Sequence, residues 1–224
     1  MPDDQIRLLV VEDSAALGEA LLFAFGFEDG IEPVGVAPTI ARALEMVAAE
    51  HPDVVLMDVR LPDGSGIEAV SRVLALRPAT RVIVMTAHAD NLIALEAADA
   101  GAAGFLLKDV RINKIVTGIR RVVAEALGVD AVVLEAILAQ AMSAGPAGVE
   151  LGPLEREVLG FLAEGLDRQA IAEELGIKED EVTAVAAALR DHLGARSNLE
   201  ATVKAARAGL FDPDQGSKAR ISNR

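Results

Sequence analysis

The stretch Val54-Val55-Leu56-Met57-Asp58-Val59-Arg60-Leu61-Pro62-Asp63-Gly64-Ser65-Gly66 decides the fold of this chain. Four apolar residues in a row read as a strand buried on both faces, and the run stops at a carboxylate. A helical pattern follows, with Ile67, Val70, Val73 and Leu74 on one face. Working outward, the same alternation recurs. Arg7–Val11, Val34–Val36, Arg81–Met85 and Gly104–Leu107 read as further short strands, and Ile40, Ala43, Leu44 and Val47 mark another helix between two of them. Five such strands separated by helices predict an α/β unit with a five-stranded parallel, doubly wound sheet. In such sheets ligands bind beyond the carboxyl ends of the strands.

Those ends carry unusual residues. The first strand runs into Glu12 and Asp13, the third into Asp58, the fourth into Thr86 and the fifth into Lys108. Crowded carboxylates repel one another, and a divalent cation together with the Lys108 ammonium relieves that repulsion. Hard Mg²⁺ suits an oxygen-only ligand set and characteristically works with phosphate. A metal, a carboxylate nucleophile, a hydroxyl and a lysine together are the parts of a phosphoryl-transfer site. An aspartate-dependent phosphatase would want a second acid two residues after its nucleophile, and Arg60 stands there. Any one of these residues alone reads as ordinary surface or core; the weight lies in their joint placement.

Composition bounds the rest. The 224 residues are 52% hydrophobic and 25% charged, enough to bury a core in one or two domains. Cysteine is absent, so disulfides and thiolate metal sites are excluded, and three histidines offer no histidine metal site. No stretch reaches the roughly 18 to 20 unbroken apolar residues of a membrane span, and the acidic opening does not resemble a secretion signal. The expectation is a cytoplasmic protein without membrane contact. The net charge of −14 argues against a generally basic nucleic-acid surface. Residues 1–148 hold 11 Lys and Arg against 21 Asp and Glu, net −10, and residues 149–224 hold 10 against 14, net −4. Any DNA contact must therefore come from a local patch.

The pattern changes after Leu127. Residues 128–140 form an apolar helical stretch, and Ser143–Gly148 reads as a flexible break. Beyond it four helices are expected over 153–164, 168–175, 179–193 and 198–208, punctuated by Gly165, Gly176, Gly194 and Gly209. The division expected is 1–127, a linker over 128–148, a helical domain over 149–211 and a loose tail over 212–224.

On these motifs the first part resembles the receiver domain of two-component response regulators. "LLVVEDSAAL" matches the acidic-pair strand, "VVLMDVRLPDGSG" the phosphoacceptor strand, "VIVMTAH" the switch-threonine strand and "GAAGFLLKD" the lysine strand. The resemblance implies that Asp58 accepts a phosphoryl group from a sensor histidine kinase. It implies Mg²⁺ held by Glu12, Asp13, Asp58 and the backbone carbonyl of Arg60. Thr86 would hydrogen-bond the phosphoryl group, Lys108 would pair with it, and Phe105 would be the switch aromatic. Arg60 and His88 flank the site and would tune the lifetime of the phosphoryl group. Residues 149–211 resemble the four-helix output domain of NarL/FixJ (LuxR-type) regulators, carried by "LGPLEREVLGFLAEGLDRQAIAEELGI" and the later "LGARSN". This implies transcription control through DNA, with a homodimer after phosphorylation to reach paired half-sites.

The expected recognition helix departs from that pattern. Val182, Val185, Ala186, Leu189 and Leu193 take its core face, but its start is Lys178-Glu179-Asp180-Glu181, followed outward by Ala184, Ala187 and Ala188. Few of these side chains can hydrogen-bond a base edge. The acids favour the positive helix end and oppose phosphate. Two readings stay open. One is a DNA-binding regulator with contacts from Lys178, Thr183, Arg190, Arg196, Ser197 and Lys204. The other is a phosphorylation-controlled protein-interaction module whose helix-turn-helix serves as scaffold and binds DNA weakly or not at all.

Overall fold

The computed structural model describes residues 5–87, 91–141 and 151–210, with the side chains of Ala131 and Val132 left aside. His88, the break at 143–148 and the tail over 212–224 lie outside the described residues.

The main sheet is parallel throughout. Its strands are β1 (Ile6–Val11), β2 (Ile31–Ala37), β3 (Val54–Asp58), β6 (Arg81–Thr86), β7 (Gly104–Leu107) and β8 (Gly128–Val129), in the order β2-β1-β3-β6-β7-β8. A two-residue hairpin, β4 (Arg60–Leu61) with β5 (Gly64–Ser65), follows β3. The five strands expected from the sequence are present, but the sheet has six. The sixth is the start of the expected linker, where Gly128 and Val129 pair with Gly104 and Phe105. Two residues between a turn and a helix carry no periodicity, so nothing local announces this strand. Glycine permits it: a Cβ on Gly104 would lie 2.7 Å from the carbonyl oxygen of Gly128. β2 is an edge strand, which accommodates Pro33, and its register with β1 shifts between Leu8 and Leu9.

Helices cover both faces. α1 (Ala15–Phe25) and α5 (Ile112–Val123) pack on one, where Leu21, Phe25, Ile115, Ile119 and Val122 meet Leu8, Val10, Leu56 and Ile83. α2 (Ile40–Glu50), α3 (Gly66–Leu76) and α4 (Asn91–Asp99) pack on the other. α6 (Ala131–Ala141) joins that second core through Leu134, Ile137, Leu138 and Ala141. The apolar stretch after Leu127 is thus buried against the chain's own α/β unit.

The remaining helices are α7 (Pro153–Ala163), α8 (Arg168–Leu175), α9 (Glu179–Leu193) and α10 (Asn198–Arg207). Pro153 stands at the first turn of α7 and Asp167 caps α8 by accepting the Ala170 N–H at 2.9 Å. Gly165, Gly176, Gly194 and Gly209 all take positive φ at the helix ends, a conformation that side chains with a Cβ resist. Val158, Leu159, Leu162, Ile171, Val182 and Leu189 form a separate core. α10 also faces away from that core: Leu199, Val203 and Ala206 are buried with α4 and α6 in the second core of the α/β unit.

Candidate functional site

β1 and β3 lie side by side at the centre of the sheet, and their carboxyl ends form the point where the strand order reverses. Ligand oxygens of Glu12, Asp13 and Asp58 all lie within 4.8 Å of one another there. Glu12 is 2% exposed and Asp58 6%, while Asp13 is open to solvent. Two largely desolvated carboxylates need a counter-charge, and β7 delivers it. Lys108 Nζ lies 2.5 Å from Glu12 and 2.8 Å from Asp58. Burial alone would lower the Lys108 pKa, but its hydrogen bonds to Asp58 and Glu12 outweigh that and hold it above the usual lysine range.

The backbone sets the rest of the pocket. Asp58 accepts the Arg60 N–H at 3.3 Å, and Glu12 accepts the Ser14 N–H at 3.3 Å. Ser14 in turn caps α1 by accepting the Leu17 N–H. Gly66 makes the turn after Asp58 possible, because a Cβ there would sit 1.8 Å from the Asp58 carbonyl oxygen. Asp63 ties the loop down by accepting the N–H groups of Ile40 and Ala41 at 2.8 and 2.9 Å. These bonds hold its carboxyl below the usual aspartate range.

Thr86 ends β6, one residue beyond the Met85 that pairs with Asp58, and its carbonyl accepts the Lys108 N–H at 2.7 Å. Phe105 pairs with Val84 and is buried in the core behind the site. The sheet therefore gathers Glu12, Asp13, Asp58, Thr86 and Lys108 at one edge, with Phe105 beneath them. The three carboxylates of Glu12, Asp13 and Asp58 could together hold a divalent cation, and an oxygen-only set of this kind matches the ligand preferences of Mg²⁺.

The six residues expected to contact DNA are not assembled on one open face. Lys178 and Thr183 lie on the early turns of the α8–α9 helix-turn-helix, Lys178 exposed and Thr183 half-buried. Arg190 donates to the Asn198 side chain at 2.6 Å. Arg196 donates to the carbonyl of Asp99, at the end of α4, at 2.8 Å. Ser197 is buried and donates to the carbonyl of Ala102 at 2.7 Å. Lys204 donates to the Gly194 carbonyl at 2.6 Å and pairs with buried Glu200 at 2.8 Å. Two of the six are thus bonded directly to the α/β unit.

The sequence offered no sign of the residues that hold this arrangement. Arg207 grips both oxygens of Asp99, at 2.6 and 3.0 Å. Asn198 donates to the Glu125 carbonyl at 2.7 Å, and Arg121 donates to the Gly165 carbonyl at 3.0 Å. A lone aspartate at a helix end reads as solvated surface until its partner, 108 residues away, is known. The acids of α9 also have local duties. Glu181 accepts the Lys178 N–H at 3.1 Å and Glu179 pairs with Arg168 at 2.9 Å. Only a capping spacing, N-terminal residue to third helical residue, hinted at the first.

A parallel sheet with a carboxylate–lysine cluster at its switch point, joined to a helix-turn-helix unit, defines a receiver coupled to an output domain. Comparison with known proteins gives the same class. Residues 8–120 match the response regulator receiver domain, and residues 150–205 match the bacterial regulatory proteins of the luxR family. The DNA-binding transcriptional activator DevR/DosR of Mycobacterium tuberculosis is 30% identical over 201 residues, covering 88% of this chain and 93% of that protein. The transcriptional regulatory protein DesR of Bacillus subtilis is 28% identical over 206 residues, covering 92% and 99%. A crystal structure of a LuxR-family two-component response regulator from Aurantimonas sp. SI85-9A1 superposes with a TM-score of 0.57 at 26% identity, covering 61% of this chain and 97% of that one. This chain belongs to the response regulators with a LuxR-type output domain. It is a phosphorylation-regulated transcription regulator with a DNA-binding output domain, not an enzyme.

Proposed function

We propose that Asp58 is the phosphoacceptor, charged by a phosphohistidine of a sensor histidine kinase in the cytoplasm, and that its modification frees the output domain from α4. The observation that carries the reading is the joint placement of Glu12, Asp13, Asp58 and Lys108 at the switch point. A carboxylate oxygen of Asp58 attacks phosphorus, the P–N bond of the donor breaks, and its electrons return to the imidazole. Glu12, Asp13, Asp58 and the Arg60 carbonyl would hold Mg²⁺, which would supply charge neutralisation at the phosphoryl oxygens. The acyl phosphate adds one to two negative charges. Lys108 then has two partners to choose between, Glu12 and the phosphoryl group. The Thr86 hydroxyl turns toward that group, and Phe105 follows into the space it leaves. Because α4 follows β6 directly, this shift loads the Asp99 end of α4, where Arg196 and Arg207 are held. Two output domains released in this way would pair on DNA half-sites.

The test is phosphodonor treatment with and without Mg²⁺ on the full chain. Incorporation should require the metal, should vanish in Asp58→Asn, and should vanish when Glu12 and Asp13 are both replaced by alanine. Uptake by Asp58→Asn at the normal level would refute the assignment.

One observation favours a second reading, that the output domain acts on another protein. The exposed part of α9 offers Asp180 and Ala184 beside its single early cation, Lys178. Titration of duplex DNA into the beryllofluoride-treated chain separates the two. Binding favours the regulator that reads DNA itself, and its complete absence favours the protein-interaction module.

A further inference from the structure

A cavity of about 280 Å³ lies where the helical unit meets the α/β unit, at the amino ends of β6 and β7. It is therefore at the opposite end of the strands from Asp58. Small-molecule sites start at about 300 Å³, so the space suits a metabolite rather than a peptide. Leu74, Pro78 and Val122 give it an apolar wall. Arg81 and Glu125 of the α/β unit and Arg190 of α9 give it charge.

All three charged residues are half-buried, and none has an ion-pair partner among the described residues. The guanidinium of Arg81 makes no hydrogen bond there either. Arg190 donates to the neutral side chain of Asn198 at 2.6 Å, and Asn198 donates to the Glu125 carbonyl at 2.7 Å. Glu125 stands at φ 62°, in the left-handed region that residues with a Cβ resist, and its Oε2 is buried without a hydrogen-bond partner. Both features oppose folding, and such features gather at functional sites. Arg196, a third arginine of the wall, differs in being satisfied by the Asp99 carbonyl and by buried Glu200.

The cavity therefore lacks two things, an anion for Arg81 and Arg190 and N–H donors for the Glu125 carboxylate. Two guanidinium forks suit the oxygens of a phosphoryl group. A carboxylate accepts two N–H groups side by side, which guanine presents on one edge and adenine does not, since adenine places a ring acceptor there. We propose that this cavity is an effector site for a phosphate monoester with adjacent N–H donors, the chemistry of a guanine nucleotide. Because Arg81 and Arg190 belong to different units, the ligand is complete only when the output domain is docked. Its binding then holds that domain in place. The site is separate from the phosphoacceptor edge and does not depend on the assignment of Asp58.

Isothermal titration of guanosine monophosphate, adenosine monophosphate and inorganic phosphate into the full chain, without Mg²⁺, tests it. Guanosine monophosphate should bind one site with a dissociation constant on the order of 0.1 mM, and the other two at least tenfold more weakly. Arg81→Gln should weaken it at least tenfold with thermal unfolding unchanged, because that guanidinium holds nothing else. Glu125→Gln should shift the preference toward adenosine monophosphate, since a carboxamide pairs with adenine in two places; a merely structural role for Glu125 would not move base preference. At ten times its dissociation constant, guanosine monophosphate should slow amide exchange over Leu199–Ala206 about tenfold. Asp58→Asn should give the same results. Equal binding of guanosine monophosphate and inorganic phosphate would overturn the proposal, leaving a plain anion site. So would affinity unaltered by Arg81→Gln, and so would amide exchange that the bound nucleotide leaves unchanged.

Discussion

Replacing Asp99 by alanine isolates the contact between receiver and output domain without touching either functional surface. The side chain contributes both oxygens to Arg207, at 2.6 and 3.0 Å, and lies at the last residue of α4. Both partners are about one-third to two-fifths exposed, so solvent screens the pair. An exposed ion pair is worth at most about 1 kcal/mol, and two-point geometry puts this one near that limit. The Arg196 bond to the Asp99 backbone carbonyl and the Ser197 bond to Ala102 survive the change, so the contact weakens without being abolished. If the domain-docked form competes with DNA binding, apparent affinity scales with the undocked fraction. A loss of about 1 kcal/mol then raises the affinity of the unphosphorylated chain about fivefold. The fully phosphorylated chain, already released, should hardly respond. DNA titrations on both forms measure this. Amide hydrogen exchange over Leu199–Ala206 reports the same opening without DNA and should speed up in the variant. Equal exchange and equal affinity in Asp99→Ala and the unaltered chain would show that the grip on Arg207 does not hold the domains together.

Further outcomes can be checked separately. Gly66→Ala should cost several kcal/mol or force the phosphoacceptor loop to shift, since its Cβ would overlap the Asp58 carbonyl; chemical denaturation and phosphodonor uptake should both fall. Asp63 has a depressed pKa in the folded chain, so its contribution is present above the unfolded value of about 3.9 and is lost as pH falls below it. The stability difference between the unaltered chain and Asp63→Asn should therefore be full at pH 6 and vanish toward pH 2. Asp180→Lys should tighten nonspecific DNA binding and steepen its salt dependence by about one phosphate contact, because Asp180 has no bonded partner among the described residues. Glu181→Thr should instead weaken α9 by about 1 kcal/mol in thermal unfolding, because that carboxylate caps the helix.

Much of this protein is written in local pattern. The buried strands announce themselves as apolar runs because both of their faces are covered, and the helices show their period because only one face is. Glu12, Asp13, Asp58, Thr86 and Lys108 were legible because parallel strands bring all their carboxyl ends to one edge, so position at a strand end is enough to predict assembly. Pro153, Asp167 and the four helix-ending glycines acted within a few residues of themselves, which is why the output helices fell where expected. What required the tertiary structure was every contact between distant surfaces with no period of its own. The two residues of β8 join the sheet because Gly104 and Gly128 let two backbones approach. Leu199, Val203 and Ala206 read as one side of a helix, but no pattern says against what that side is buried. The grip of Asp99 on Arg207 and the engagement of Arg196 and Ser197 depend on how the α/β unit and the helical unit meet. Local sequence governs the conformation of each segment and the face it must bury; the choice of partner for that face is made by shape and charge across the whole molecule.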